Sequence, residues 1–252
     1  MMAFTIAGRE LRSLFISPLA WSILAVVQLI LAYMFLTQLD LFMALQSRLL
    51  GVEGAPGVTE IIAAPLLGNA AVVLLLVVPM LTMRLVSEER RAQTLSLLFS
   101  APLSMSEIVL GKFLGVMGFL LIMVLMIVLM PLSLLVGGSL DLGMLLAGVL
   151  GLVLLLASFA ALGLFMSTLT EQPTIAAVSS FGVLLLLWII DWAGGNDASQ
   201  VSELFAYLSL LRHFESLLKG VFDSADVIYY LLFVTLFLVM SIRRLDADRL
   251  QH

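Results

Sequence analysis

The chain contains no cysteine and only two histidines, His213 and His252. Disulfides and thiolate chemistry are therefore excluded, and two distant histidines do not make a metal centre. Motifs for catalysis are missing as well. Gly111-Lys112 lacks the upstream glycine of a phosphate-binding G-x-x-x-x-G-K-[ST] loop, and neither H-E-x-x-H nor G-x-S-x-G occurs. The reading is of a non-enzymatic chain with no catalytic residue, no metal, no cofactor of its own and no nucleic-acid partner. Charge is also scarce, at 12% of residues. No Asp, Glu, Lys or Arg falls at the centre of an apolar run, where each would cost about 2.5–3.5 kcal/mol. A proton-coupled transporter needs an intramembrane carboxylate relay and a voltage sensor needs intramembrane arginines, so both are disfavoured. No ring of charge or filter-like loop supports a passive channel. Energy for any movement must come from another chain.

What the sequence has in abundance is apolar surface: 62% hydrophobic residues and a mean hydropathy of +1.19. Soluble domains are about 45–50% apolar. The apolar runs do not alternate in polarity as the roughly ten-residue strands of an outer-membrane barrel do. They are about 20 residues or longer, enough to cross a roughly 30 Å hydrocarbon core as helices, which satisfy their own backbone hydrogen bonds. The expected fold is an all-α polytopic membrane protein in a single transmembrane domain over 1–252. Its six spans fall near 19–39, 61–84, 108–136, 143–168, 174–193 and 225–242. No cleavable-signal pattern precedes the first span, which is expected to remain in the protein.

Nine of the twelve basic residues fall on one side of that arrangement: Arg9, Arg12, Arg84, Arg90, Arg91, Lys112, Arg243, Arg244 and Arg249. Arg48, Arg212 and Lys219 fall on the other. The positive-inside rule puts the first side, with both termini, in the cytoplasm. Residues 3–17, wound as a helix, set Phe4, Ala7, Leu11, Leu14 and Phe15 against Arg9, Arg12 and Ser13. This predicts an amphipathic helix on the membrane surface, ended by Pro18. Capping signals agree with the spans. Ser104 and Glu107 form S-x-x-E ahead of span three, Pro173 sits in the first turn of span five, and Asp223 can cap span six with Asp226 behind it. Gly111/Gly115, Ala147/Gly151, Ala157/Ala161 and Gly163/Ser167 place small residues four apart, the spacing for close packing between spans. Gln28, Thr82 and Ser158 are polar within spans; lining a path is one reading, and packing is the preferred one.

The run "VSEERRAQTLSLLFSAPLS" (86–104) interrupts this pattern. Burying "EERR" would cost on the order of 10 kcal/mol, so it lies outside the bilayer. As a helix over 87–100 it aligns Glu89, Gln93, Ser96 and Ser100 on one arc and Ala92, Leu95, Leu98 and Phe99 on another. Pro102 ends it. Periodicity alone does not separate a purposeful helix from an interfacial connecting loop. A second amphipathic segment, 194–224, begins "GGNDASQ" and continues "VSELFAYLSLLRHFESLLKGVF". Arg212/Glu215 and Glu215/Lys219 have helix pairing offsets worth about 0.2–0.5 kcal/mol each, and Phe205, Tyr207 and Phe214 suit an interfacial belt.

"SEERRAQTLSLLFSAPLSMSEIVLGKF" resembles the intracellular segment of ABC-2 type export permeases. Glu88, Glu89, Thr94, Leu95, Pro102, Gly111 and Lys112 match the family pattern; Gln93 stands where the family often has Gly, and Ser96 where it often has Glu. "AGRELRSLFISPLAW" is similar to the family's N-terminal cytoplasmic helix. "HFESLLKGVFDSADVIYYL" (213–231) looks like the gliding-motility-associated, GldF-like branch. The resemblance implies a permease subunit in a bacterial inner membrane. It would pair with a second copy or homologous permease and with two separate ATP-binding subunits that carry ATP and Mg. Membrane lipids and periplasmic accessory proteins complete the implied partners. The helix at 87–100, through Glu88, Glu89, Arg90, Arg91, Gln93, Thr94 and Ser96, would couple to the ATPase. The helix at 3–17, with Arg9, Glu10 and Arg12, would brace it. Residues 194–224 would form an extracytoplasmic helical hairpin whose Arg212, His213, Glu215 and Lys219 face an outer gate; for His213 a plain hydrogen-bonding role stands beside the gate reading. The alternative function is a mechanotransmitting or signalling module that uses ATPase motion without transporting a substrate. Scarce intramembrane charge leans toward an apolar or amphipathic cargo.

Overall fold

The computed structural model describes residues 2–49, 57–94, 104–136, 140–194 and 207–251. Among them there is no strand. The helices are α1 (Met2–Ile16), α2 (Pro18–Leu49), α3 (Ala64–Thr82), α4 (Ser87–Arg91), α5 (Met105–Leu132), α6 (Leu142–Leu169), α7 (Pro173–Gly194), α8 (Leu210–Leu218) and α9 (Ser224–Gln251). A π-helical turn, Thr59–Ala63, leads into α3, and a 3₁₀ turn, Ser133–Val136, follows α5. Six helices are long and apolar enough to cross a membrane, and they coincide with the six expected spans. Two run past the expected ends. The 32 residues of α2 reach about 48 Å, more than a bilayer core requires, and α9 continues unbroken to Gln251.

Local chemistry explains the boundaries. Ser104 accepts the Glu107 N–H while the Glu107 carboxylate accepts the Ser104 N–H, a complete capping box at the start of α5. Asp141 caps α6 through the Met144 N–H, and Asp223 accepts the Ala225 N–H at the start of α9. At the end of α8, Gly220 adopts φ +78°. The Val221 N–H reaches the Ser216 carbonyl and the Gly220 N–H the Leu217 carbonyl, closing a Schellman turn. Only a residue without a Cβ takes that turn at no steric cost.

Helices α3 and α6 are the most enclosed spans, with 56% and 61% of their apolar windows buried, against 17% for α7 and 28% for α2 and α9. The centre is therefore the α3–α6 pair. Its crossing is very tight: a Cβ on Gly163 would collide with Thr82 Oγ1. The other glycine pairs answer to different partners than expected. Gly111 and Gly115 receive the N-terminal helix α1 rather than another span; a Cβ on Gly111 would lie 2.6 Å from Ile6 Cβ, and one on Gly115 2.7 Å from Glu10 Cβ. Gly151 receives Leu217 and Phe214 of α8. Thr82 and Ser158 donate to carbonyls of their own helices, and Gln28 reaches the Met123 carbonyl, so all three serve packing.

Helix α1 thus has its surface modified by tertiary contact. Ile6, Leu11, Leu14 and Phe15 pack on the core, and Arg9, Arg12 and Ser13 face out as expected. Phe4, assigned to the apolar face, is instead 76% exposed. The face that meets α5 is defined by Ala3, Ile6, Ala7, Glu10 and Leu11, which keeps Ala7 and Leu11 of the expected stripe and adds Ala3, Ile6 and Glu10.

Candidate functional site: a short helix held by three spans

One end of the bundle gathers α1, α4, the start of α5, the end of α6, the start of α7 and the end of α9. It also carries the majority of the basic residues, and α4 sits in the middle of it. This helix is shorter than 87–100. It starts at Ser87 as expected, but it ends at Arg91, and Gln93 has φ +57°, the left-handed region. A right-handed helix cannot continue through such a residue. The arc of Glu89, Gln93, Ser96 and Ser100 therefore does not lie on one continuous helix; residues 95–103, including Ser96, fall outside the described residues.

The conformation of Gln93 accounts for one of its own departures from the ABC-2 pattern. Glycine enters the left-handed region without a Cβ penalty, so a position that requires φ near +57° is one where glycine is the natural occupant. Gln93 keeps the turn at some local cost.

The start of α4 is capped from another span. The Ser167 hydroxyl of α6 accepts the N–H groups of Val86 and Ser87, each at 3.0 Å, and donates to the Met83 carbonyl at 3.0 Å. A helix start has unpaired N–H groups, and a local Ser or Asp usually satisfies them. Here a residue eighty positions away does so. Ser87 itself is fully buried and donates to the Met83 carbonyl.

Two of the four charges in "EERR" turn inward. Glu89 accepts from Lys112 Nζ at 2.6 Å, and the same ammonium donates to Glu10 of α1 at 3.1 Å. Lys112 is 1% exposed. It is a cation buried at the start of a span and neutralised by carboxylates from two separate elements, the arrangement that lets such a charge persist. Arg90 pairs with Asp248 near the end of α9, which also faces Arg244 at 3.6 Å. The other two charges, Glu88 and Arg91, turn outward, and the neutral Gln93 and Thr94 are exposed as well. Glu88 and Arg91 border an open groove of about 490 Å³, lined also by Met83, Arg84, Ala92, Pro173 and Thr174. Glu171 and Gln172 extend the same surface past the turn between α6 and α7.

A profile of the family described as "ABC-2 family transporter protein" matches residues 4–250. The chain belongs to the ABC-2 transporter family. It is a multi-pass membrane permease component of an ABC transporter and not itself the ATPase. No curated protein sequence matches this ABC-2 chain.

Of the sites expected at the basic end, Glu89, Arg90 and Glu10 therefore form contacts inside the ABC-2 chain, while Glu88, Arg91, Gln93, Thr94, Arg9 and Arg12 are exposed; Arg9 leans on Glu10 at 3.4 Å. Sequence reasoning passed over three residues that organise this end. Ser167 appeared only as a small packing residue, Lys112 only in the basic-residue count and the Gly-Lys motif, and Asp248 not at all. Lys112 had a usable signal, a lone cation beside an apolar run of 20 residues. The pairing of Arg90 with Asp248 spans 158 positions and left none.

At the opposite end, α8 presents Leu210, His213, Phe214 and Leu217 to the bundle and Arg212, Glu215 and Lys219 to the outside. Gly148 and Gly151, against which Leu217 and Leu218 pack, lie about 10–15 Å along α6 from its start. Helix α8 is therefore sunk beside the spans rather than laid across their ends. His213 is 6% exposed. Its Nδ1 lies 2.6 Å from Asp226 Oδ1 and its Nε2 2.9 Å from the Tyr207 carbonyl, and its ring stacks on Tyr229 at 4.1 Å. Tyr229 and Tyr230 donate to the Leu208 and Leu210 carbonyls. Lys219 and Glu215 approach to 3.9 Å. Arg212 and Glu215 form no ion pair among the described residues, so that expected pair is not made. Phe214 is buried against Gly151 rather than set in an interfacial belt, Tyr207 is exposed, and Phe205 lies outside the described residues.

Proposed function

We propose that this chain is the permease subunit of an ATP-driven exporter in a bacterial inner membrane, with the basic end and both termini in the cytoplasm. It pairs with a second copy or a homologous permease, and two separate ATP-binding subunits carrying ATP and Mg dock beneath. The similarity of 213–231 to the GldF-like branch supports kinship with that group of exporters. The observation that carries the reading is the division of α4. Its inner residues are bonded to α5, α6 and α9, and through Lys112 to α1, while Glu88 and Arg91 on its outer side are exposed. A helix so held passes force from an external partner to four parts of the bundle at once.

The contact with the ATPase runs through Glu88, Arg91, Gln93 and Thr94, continuing toward Ser96. Glu89 and Arg90 act behind them as positioning residues. Helix α1 braces α4 through the shared Lys112, and α8 with His213 forms the outer gate. Charge reversal at Glu88 and Arg91 together, assayed in the assembled complex, lowers transport-coupled ATP hydrolysis several-fold. The chain itself stays folded, because neither side chain has an ion-pair partner among the described residues. Unchanged hydrolysis and unchanged assembly with the ATPase would sink the docking assignment.

A further inference from the structure

Between α1, the start of α2 and the end of α3 lies a second cavity, of about 250 Å³, lined by Glu10, Ser13, Leu14, Ser17, Leu19, Ala20, Met80, Leu81, Arg84, Leu85 and Glu88. It occupies the crook where the chain turns from α1 into the first span at Ser17 and Pro18. Trp21, one turn into α2, is 56% exposed and donates to the Phe15 carbonyl. A half-exposed Trp with its N–H satisfied at the start of a span marks the level of the lipid headgroups. The cavity therefore opens at the depth where headgroups lie.

Its chemistry divides into two parts. Leu14, Leu19, Ala20, Met80, Leu81 and Leu85 supply an apolar wall. Of its three ionisable groups, Glu10 is already committed to Lys112 at 3.1 Å and Arg9 at 3.4 Å. Arg84 and Glu88 have no ion-pair partner among the described residues, and the hydroxyls of Ser13 and Ser17 have no hydrogen-bond partner among them. One free cation, one free carboxylate and two free hydroxyls remain. This set complements a ligand that carries one negative and one positive group next to an apolar body.

We infer that this crook is a binding site for the headgroup of a zwitterionic phospholipid with a primary ammonium, a phosphoethanolamine lipid of the surrounding leaflet. Arg84 takes the phosphate, since a guanidinium pairs with phosphate oxygens in a fork, and Ser13 and Ser17 donate to the same oxygens. Glu88 accepts from the ammonium. The cavity holds a headgroup and its glycerol but not a diacyl lipid, so the acyl chains leave over Leu19, Ala20 and Met80 into the hydrocarbon. The glycerol headgroup of phosphatidylglycerol satisfies Arg84 through its phosphate but offers Glu88 only neutral hydroxyls, a weaker partner than an ammonium. A trimethylated headgroup has no N–H to offer Glu88. The site adds a lipid contact to the wall shared with the groove beside α4, because Arg84 and Glu88 line both.

The test uses the full chain in nanodiscs of equal parts phosphatidylethanolamine, phosphatidylglycerol and phosphatidylcholine, with retained lipids read by native mass spectrometry. The wild type retains phosphatidylethanolamine preferentially. Arg84→Gln lowers that retention about tenfold, the loss of one charge-assisted contact. Arg84→Lys recovers a large part of it, and Ser13→Ala with Ser17→Ala lowers it by a smaller factor. Preference for phosphatidylglycerol, equal retention of all three lipids, or an Arg84→Gln chain that retains phosphatidylethanolamine unchanged would overturn the assignment. No ATPase enters the measurement, so its outcome is separate from that of the docking experiment.

Discussion

Replacing Lys112 with methionine tests whether the buried cation is what joins α1 to α4. Methionine keeps the length and apolar bulk of the lysine stem, so packing on α5 changes little. What disappears is the charge between Glu10 and Glu89. Removing one partner of a buried ion pair costs about 3–5 kcal/mol, because the remaining charge is left without compensation. The carboxylates here are not fully buried: their side chains are 17% and 25% exposed, and Glu10 keeps Arg9 nearby. Water and Arg9 reduce the penalty, to about 3 kcal/mol at the low end of that range. For a chain of this size each kcal/mol moves the melting temperature by roughly 2–4 °C, so Lys112→Met should melt about 9 °C lower in detergent. The decisive comparison is the triple variant Lys112→Met, Glu10→Gln, Glu89→Gln. If electrostatics set the loss, neutralising both carboxylates restores most of it, since buried ion clusters replaced as a unit are often close to neutral in stability. A single variant that melts within about 2 °C of wild type, or a triple variant no more stable than the single, would show that the cluster is not what holds these helices together.

Two further predictions concern the ends of α4. Ser167→Ala leaves the N–H groups of Val86 and Ser87 unpaired in a buried setting, at a cost of about 1–3 kcal/mol; amide exchange across 86–91 should accelerate by one to two orders of magnitude while the spans stay protected, and unchanged exchange there would remove Ser167 as the cap. At Gln93, glycine should be neutral or stabilising and valine should cost about 1–2 kcal/mol, because φ +57° penalises a branched Cβ most. Thermal melting of the two variants reads the sign directly, and a glycine variant less stable than the valine variant would contradict it.

The spans were legible because each is a single-residue-scale statement about hydropathy, repeated about twenty times. Caps such as Ser104/Glu107 and Asp223 were legible because cap and helix are adjacent in sequence. The inner site was only half legible. "EERR" announced that four charges leave the membrane, but which two turn back inward depends on where Glu10, Lys112 and Asp248 arrive in space, and no local pattern encodes that. The expected helix over 87–100 failed at Gln93 because periodicity describes side chains, whereas the helix is stopped by one backbone angle. The same reason redirected the glycines at 111 and 115. Small residues predict close approach, and the approaching partner, α1, is not itself a span.

The Gly163–Thr82 contact has a mechanical consequence. Backbones this close have no room to slide past one another, and three bonds from Ser167 fasten the beginning of α4 to the same seam. Helices α3, α4 and α6 therefore behave as a bolted plate with the handle fixed to its edge. A pull on that handle moves the plate as one piece. The thinly covered α2, α7 and α9 lie outside that plate.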